Sequence, residues 1–309
     1  MKIIFMGTPD FAVPTLESLI SSKHEVVAVY TKPDEEAGRG KKIRFSPVKE
    51  CAIAHNIPVY QPVSLRKKEQ VEILRGIEAD VIIVVAYGLI LRKSVLEMKK
   101  YGCINVHASL LPAYRGAAPI QWAVLNGDAK TGVTVMQMDE GLDTGDIMKV
   151  SEIAIDPKET GDSLFEKLSL MGGPLILEVL DEVEAGTATW TPQGETTTMY
   201  AKMLEKSMGK LNFSESAVVL ERKIRGLNSW PGTFCTLNGR LLKIWGAEVV
   251  EGDDALAPGT VFHVTKNDFS VACGEKALRI TEVQPEGKKR MDTAAFLRGN
   301  AVNEGEMLA

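Results

Sequence analysis

Short apolar runs dominate the first half of the chain and alternate with segments of helical spacing. The clearest run is DVIIVVA at residues 80–86. Similar runs cover residues 2–6, 26–31, 102–107 and 132–138, and helical spacing covers residues 11–21, 69–76 and 119–126. Largely apolar runs of this length are typical of strands buried on both faces of a parallel sheet. The alternation predicts an α/β domain with a parallel sheet, in which ligands bind at the carboxyl ends of the strands.

The pattern changes after a Thr-, Gly- and Pro-rich stretch at residues 185–198. Five short strand-like runs follow, at residues 232–237, 240–250, 259–264, 269–273 and 277–283. Asn238-Gly239 predicts a tight hairpin turn between the first two of them. The sequence therefore predicts a domain at 1–188, a linker at 189–205, and a small β-barrel at 206–309, for which the five-stranded OB-fold is one candidate.

Composition excludes several protein classes. The chain has 309 residues, of which 45% are hydrophobic and 25% charged, as expected for folded domains rather than a disordered chain. A net charge of -5 gives no overall positive field, so any nucleic acid must bind at local patches. The four cysteines are widely spaced and the four histidines form no zinc motif, so we expect a reducing compartment and no metal. No signal peptide or membrane span is evident, which favours a cytoplasmic protein without membrane association.

The stretch NVHASLLPAYRGAAPI at residues 105–120 has the highest density of candidate functional residues. Asn105 and His107 lie two residues apart at the end of a predicted strand, so their side chains point to the same face. An amide donor beside an imidazole suits the stabilisation of an oxyanion, and the imidazole can also transfer a proton. A hydrogen-bonded core pair is the structural alternative.

An acidic loop, DEGLDTGD at residues 139–146, follows the predicted strand 132–138. In a parallel sheet this loop would lie near the end of the neighbouring strand that carries His107. A carboxylate there would orient the imidazole and stabilise its protonated form, and we assign this role to Asp143, which lies between two glycines. A plain turn is the alternative interpretation.

A basic segment that contains two glycines precedes these motifs. Its cations are Arg39, Lys41, Lys42, Arg44 and Lys49. A long loop of this charge suits contact with a phosphate backbone, although a solvated loop would have the same composition.

Taken together, the motifs resemble the methionyl-tRNA formyltransferase family. The shared stretches are IIFMGTPDFA, AGRGKK, AYGLIL, NVHASLLPAYRGAAPI, TGVTVMQMDEGLDTGDI, SWPG and QPEGKKRM, which extend through nearly the whole chain. The resemblance implies a Rossmann-type formyltransferase domain followed by an OB-like tRNA-binding domain. It also implies that 10-formyl-tetrahydrofolate donates a formyl group to the α-amino group of methionyl initiator tRNA, without a metal.

The resemblance assigns residues to this activity. Asn105, His107 and Asp143 match the catalytic Asn, His and Asp of the family. The implied folate contacts are Ser109, Leu110, Leu111 and Pro112 in one loop and Tyr87, Gly88, Leu89, Ile90 and Leu91 in another. The loop at 37–45, with Arg39, Lys41, Lys42 and Arg44, would enter the acceptor stem of the tRNA. Further expected phosphate contacts are Lys206, Lys210, Arg222, Lys288, Lys289 and Arg290. We expect a monomer.

Other acceptors give the nearest alternatives. A formyltransferase that acts on an amino sugar would use the same folate site but would leave the basic loop unexplained. A hydrolase would use water in place of the amine, and an inactive RNA-binding protein would not need Asn105, His107 and Asp143.

Overall fold

A computed structural model of the chain describes residues 1–37, 42–196 and 198–309. These residues divide into two compact units. Unit 1 comprises Met1–Pro119, Thr131–Ile153 and Phe165–Ala201, and unit 2 comprises Ile120–Lys130, Ala154–Leu164 and Lys202–Ala309. The predicted boundaries at 188 and 205 stay predictions.

A seven-stranded sheet forms the centre of unit 1. The strands of this half of the chain are β1 (Lys2–Gly7), β2 (Glu25–Tyr30), β3 (Glu35–Ala37), β4 (Lys42–Arg44), β5 (Val59–Tyr60), β6 (Val81–Val85), β7 (Cys103–His107), β8 (Lys130–Gln137) and β9 (Ile147–Ala154). The sheet order is β5-β2-β1-β6-β7-β8-β9, and β3 and β4 form a separate antiparallel hairpin. The apolar runs predicted as strands all lie in this sheet, because their side chains are buried on both faces.

The sheet is parallel from β5 to β7 and then changes direction. β1 pairs in parallel with β2 and β6, and β6 pairs in parallel with β7. β8, in contrast, runs antiparallel to β7, with Ile104 opposite Gln137 and His107 opposite Thr134. The prediction that these two strands are parallel neighbours is therefore wrong.

Eight α-helices accompany the sheets within the described part of the chain. They are α1 (Val13–Ile20), α2 (Pro47–Ala54), α3 (Lys68–Gly76), α4 (Lys93–Leu96), α5 (Pro119–Asn126), α6 (Gly161–Ala185), α7 (Ala217–Gly226) and α8 (Thr293–Leu297). The helix predicted at residues 119–126 is confirmed. Helix α6 contains Gly172-Gly173-Pro174, which would ordinarily indicate a break. A Cβ at Gly172 or Gly173 would lie 2.7 Å from Thr15 Oγ1 or 2.1 Å from Ser18 Oγ, so the glycines allow α6 to approach α1 closely.

Unit 2 contains an antiparallel sheet of six strands. They are β10 (Thr233–Leu237), β11 (Arg240–Val250), β12 (Val261–Phe262), β13 (Phe269–Ala272), β14 (Ala277–Pro285) and β15 (Met291–Asp292). The order is β10-β11-β14-β13-β12, with β15 also paired to β14. Asn238 and Gly239 have φ values of 52° and 74°, as a two-residue hairpin turn requires. The five predicted strands and the OB-like architecture are confirmed.

Candidate active site

Strand β7 places an amide and an imidazole side by side in a buried position. Its sequence CINVH is buried throughout, and the side chains of Asn105 and His107 point to the same face. Asn105 is 8% exposed and His107 is 7% exposed, so little solvent reaches either polar group. Hydrogen bonds and charges at this position act in a lower dielectric than in water, which increases their energies.

The imidazole of His107 is oriented by a main-chain carbonyl. Nε2 of His107 lies 3.0 Å from the carbonyl oxygen of Tyr114. A carbonyl oxygen can only accept a hydrogen bond, so Nε2 carries the proton of this contact. Nδ1 is therefore the nitrogen that remains to exchange a proton, and it lies 3.9 Å from Oδ2 of Asp143. Tyr114 has a φ of 55°, in the left-handed region that non-glycine residues seldom adopt.

Asp143 is held in place by contacts within its own loop and by a hydrogen bond from the loop that contains Gly116. Its φ is 54°, again left-handed, and the backbone N–H of Gly116 donates a 2.8 Å hydrogen bond to Oδ2. Asp139 closes the loop from within, because its Oδ1 accepts hydrogen bonds from Thr144 Oγ1 and from the N–H of Gly141. Strained backbone at a polar site is typical of positions that are held for function.

The structure brings Asp143 to His107 by a route that differs from the expected one. Because β8 runs antiparallel to β7, the loop after β8 begins beside Ile104, at the opposite end of β7 from His107. The loop then folds back, and the N–H of Gln137 donates to the carbonyl oxygen of Asp146. The two side chains therefore meet because the loop reverses, not because two parallel strands end at one edge.

The first predicted folate loop, residues 109–112, is held by internal hydrogen bonds. Ser109 is fully buried and its hydroxyl donates to the carbonyl oxygen of Ala113. Thr134 Oγ1 donates to the Ser109 carbonyl oxygen and accepts from the N–H of Leu111, and the Leu111–Pro112 peptide is cis. Leu110 and Pro112 are half-buried, so these two side chains remain accessible beside His107.

The second predicted folate loop, residues 87–91, presents two different faces. Tyr87 and Leu91 are buried, whereas Ile90 is 76% exposed. Gly88 has a φ of 77°, which glycine adopts without strain. The hydroxyl of Tyr87 has no hydrogen-bond partner among the described residues, and burial raises the pKa of this phenol. A small cavity of about 290 Å³ lies along this loop, lined by residues 64–66 and 88–90.

Of the basic loop at 37–45, the structure describes residue 37 and residues 42–45, where β3 pairs with β4. Arg39 and Lys41 lie outside the described residues. Lys42 pairs with Ala37 and Arg44 pairs with Glu35 across the hairpin, and Arg44 is exposed.

A polar cluster that the sequence analysis missed lies at the hairpin base. Lys49 Nζ donates to Asp34 Oδ2 at 2.6 Å and to Gln61 Oε1 at 2.8 Å, and Gln61 Nε2 donates to Asp34 Oδ1. The hydrogen bond from Lys49 holds the pKa of the Asp34 carboxyl below its usual range.

Within unit 2, the predicted tRNA-binding residues have different surroundings. Lys206, Lys210, Lys288 and Lys289 are exposed. Arg222 donates to the carbonyl oxygen of Asn126, so its guanidinium is partly engaged. Arg290 pairs with Glu282 and lies 4.9 Å from the centre of the Trp245 ring, an aromatic neighbour that the sequence analysis did not identify.

The described residues show neither a metal-binding cluster nor a membrane-spanning helix. Within residues 1–37, 42–196 and 198–309, no group of three His, Cys, Asp or Glu side chains is arranged to hold a metal ion. Over the same ranges, no helix is both long and apolar enough to cross a bilayer.

Comparison with known proteins identifies the family. The formyl transferase family model matches residues 1–180, and the model of the formyl transferase C-terminal domain matches residues 203–301. The methionyl-tRNA formyltransferase of Agathobacter rectalis is 54% identical over 305 residues, which cover 99% of this chain and 98% of the relative. That of Lachnospira eligens is 53% identical over 313 residues, covering 100% and 99%.

A solved structure shows the same fold. The crystal structure of WlaRD, a sugar 3N-formyl transferase, superposes with a TM-score of 0.67 at 21% identity, covering 94% of this chain and 99% of that one. The family models and the near-full-length relatives agree, and this chain belongs to the methionyl-tRNA formyltransferase family.

Proposed function

We propose that this protein transfers the formyl group of 10-formyl-tetrahydrofolate to the α-amino group of methionyl initiator tRNA, for translation initiation. The observation that carries the proposal is the buried arrangement at the end of β7. Asn105 lies beside His107, whose Nδ1 faces Asp143 at 3.9 Å. The chain that carries these three residues has methionyl-tRNA formyltransferases as close relatives.

Asn105 and His107 are the proposed stabilisers of the charge that develops on the formyl oxygen when the amine attacks. Asn105 is 8% exposed, and its side-chain amide has two N–H groups that can donate to the substrate oxygen. Nε2 of His107 is held by Tyr114, so His107 donates through Nδ1 once that atom is protonated. One such donor is typically worth about 10²–10³ in rate.

Asp143 is the proposed partner for the proton. Its carboxylate faces Nδ1 of His107 and can accept a proton there. The attacking amine must lose a proton while the folate nitrogen gains one. The 3.9 Å between Asp143 and His107 leaves room for this transfer to pass through a water molecule.

A folate donor fits the two loops that flank His107. Residues 109–112 offer half-buried apolar side chains, and residues 87–91 offer left-handed backbone and a small cavity. Apolar walls with a few polar groups are typical of sites for flat ligands. WlaRD, which shares the fold, was crystallised in the presence of 5-N-formyl-THF.

A tRNA acceptor explains the basic features that a small acceptor would not need. These are the cations of the loop at 37–45, which are Arg39, Lys41, Lys42 and Arg44 in the sequence, and the exposed lysines of unit 2. Backbone phosphates bind such cations with a strong dependence on salt. We also propose that the protein works as a monomer, and in the cytoplasm, where translation begins.

Formyl transfer from 10-formyl-tetrahydrofolate should be measured with four acceptors: initiator methionyl-tRNA, elongator methionyl-tRNA, a dTDP-amino sugar and water. We expect rapid transfer to the initiator tRNA alone. Transfer to the amino sugar, or release of formate without any acceptor, would replace the proposal with one of its two enzymatic alternatives.

A further inference from the structure

The segment between the two family domains makes close contacts with the loops around His107 and Asp143. We call residues 193–196 and 198–201 the strap. All of them belong to unit 1, as do the loops 114–118 and 143–145 that they contact. The strap lies within the predicted linker at 189–205, and it makes several hydrogen bonds to these loops.

Gln193 uses its whole carboxamide in these contacts. Its Nε2 donates to the carbonyl oxygens of Asp143 at 3.0 Å and Gly145 at 2.6 Å. Its Oε1 accepts from Nε and Nη2 of Arg115 at 3.0 and 2.8 Å. Because the carbonyl oxygens accept and the guanidinium donates, the amide has one satisfied orientation. Gln193 thus joins the loop of Asp143 to the loop of Gly116.

The other end of the strap binds the loop 114–118. Thr198 Oγ1 accepts from the N–H of Tyr114 at 2.8 Å, and Tyr114 is the residue whose carbonyl oxygen binds Nε2 of His107. Ala201 donates to the carbonyl oxygen of Arg115 and accepts from the N–H of Ala117.

These contacts converge on Gly116. A Cβ at Gly116 would lie 2.7 Å from the carbonyl oxygen of Ala201, so only glycine allows this approach. The N–H of Gly116 in turn donates to Asp143. The strap therefore contacts Tyr114, which binds His107, and the backbone around Gly116, which binds Asp143.

We propose that Gln193 is a positioning residue for formyl transfer, which sets the distance between Asp143 and His107 by binding both of their loops. This inference rests on the proposed function. Gln193 touches neither His107 nor the side chain of Asp143, so it acts on the reaction through the Asp143 loop. A small displacement of a reacting group can lower a rate by up to about 10²-fold, so the effect falls on kcat rather than on substrate binding.

Gln193→Glu is the sharpest test, because it keeps the shape of the side chain and the acceptor for Arg115 but loses both N–H donors. Gln193→Ala removes every hydrogen bond of the carboxamide, including one from Nε2 to the Met136 sulfur. Thr191→Glu adds the same charge two residues away, on an exposed side chain, and serves as the control. We expect kcat to fall roughly 10- to 100-fold in both Gln193 variants with KM for either substrate changed less than about 3-fold, and wild-type values in the control.

A double-mutant cycle separates positioning from general stability. In an Asp143→Asn background, Gln193→Glu should lower kcat no further, since the two changes act through one loop. An equal further fall would overturn the inference, as would unchanged kcat in both single variants while wild-type enzyme transfers formyl.

Hydrogen exchange gives a readout that does not need activity. The amide of Gly116 should exchange faster in both Gln193 variants and at the wild-type rate in Thr191→Glu. Unchanged exchange in the Gln193 variants would overturn the inference. If the Gln193 variants exchange faster but the wild-type enzyme transfers no formyl, the proposed function is overturned, while the effect of Gln193 on the Gly116 loop stands.

Discussion

Nδ1 of His107 and Oδ2 of Asp143 lie 3.9 Å apart, within the range of an ion pair but beyond that of a hydrogen bond. The same Asp143 oxygen already accepts a 2.8 Å hydrogen bond from Gly116. The carboxylate is thus held by the backbone while the imidazole remains separate from it. Catalytic contacts are often this long before substrate binds and shorten in the complex.

Gly116→Ala should damage both stability and activity. Gly116 has a φ of 124°, and an added Cβ would lie 2.7 Å from the Ala201 carbonyl oxygen. We expect urea unfolding to show a loss of about 1–3 kcal/mol, and kcat to fall because the N–H that holds Asp143 moves. Gly76→Ala is the control, since a Cβ there meets no atom within 4 Å. Full activity in Gly116→Ala would contradict this account of Asp143.

The polar cluster below the hairpin should affect tRNA binding more than chemistry. Lys49→Ala removes the ammonium group that donates to both Asp34 and Gln61. We expect a KM for initiator tRNA that is higher by about 10-fold, near 1.4 kcal/mol, with kcat nearly unchanged, because a loosened hairpin pays more entropy on binding. Lys23→Ala, which breaks a surface ion pair with Asp181, is the matched control. Equal effects of the two variants on KM would argue against a role for the cluster.

The exposed lysines of unit 2 should contribute to tRNA binding through their charge alone. The plot of log Kd for tRNA against log salt should lose roughly one unit of slope per phosphate contact removed by Lys288→Ala or Lys289→Ala. Lys266→Ala, also exposed and in unit 2, should keep the wild-type slope. If the slopes of all three variants match the wild type, these lysines are solvated and do not bind phosphate.

His24 should make the fold sensitive to mild acid. Burial, and next the charged N-terminus, lower the pKa of this imidazole, although Glu184 and Asp181 act in the opposite direction. The unfolded chain therefore binds a proton more readily than the folded one. Its stabilising contribution is present above the unfolded value of about 6.5 and is lost as the pH falls below it.

Urea unfolding between pH 7.5 and 5 checks this sign. His24→Gln should show a smaller loss of stability over that interval than the wild type. His55→Gln, which changes an exposed histidine, should lose as much as the wild type. A steeper loss in His24→Gln than in the wild type would reverse the assigned direction.

Local pattern was sufficient to predict much of this fold. The strand at residues 240–250 and the helix at 119–126 follow from apolar spacing and turn residues, which depend on near neighbours. Strand β9 was not predicted, because only one of its eight residues is fully buried. Helix α6 was missed because Gly172-Gly173-Pro174 is typical of a break, and the reason for the glycines, close contact with α1, lies in another part of the chain.

The candidate site, too, could be predicted only where local pattern determines it. Asn105 and His107 could be paired from their spacing on one strand. The proximity of Asp143 was expected for a wrong reason, since the direction of β8 is a property of the whole sheet. Gln193 gave no signal at all, because an isolated glutamine in a polar stretch acquires meaning only from partners 48 to 78 residues away.

Single-turnover transfer of formyl from 10-formyl-tetrahydrofolate to initiator methionyl-tRNA tests the central claim most directly, with wild type, Asn105→Ala, His107→Ala and Asp143→Asn compared at saturating substrates. We predict rapid transfer by the wild type and a loss of about 10²–10³ in each variant, with the Kd for tRNA unchanged. Wild-type rates in all three variants would show that the buried group at the end of β7 does not carry the reaction.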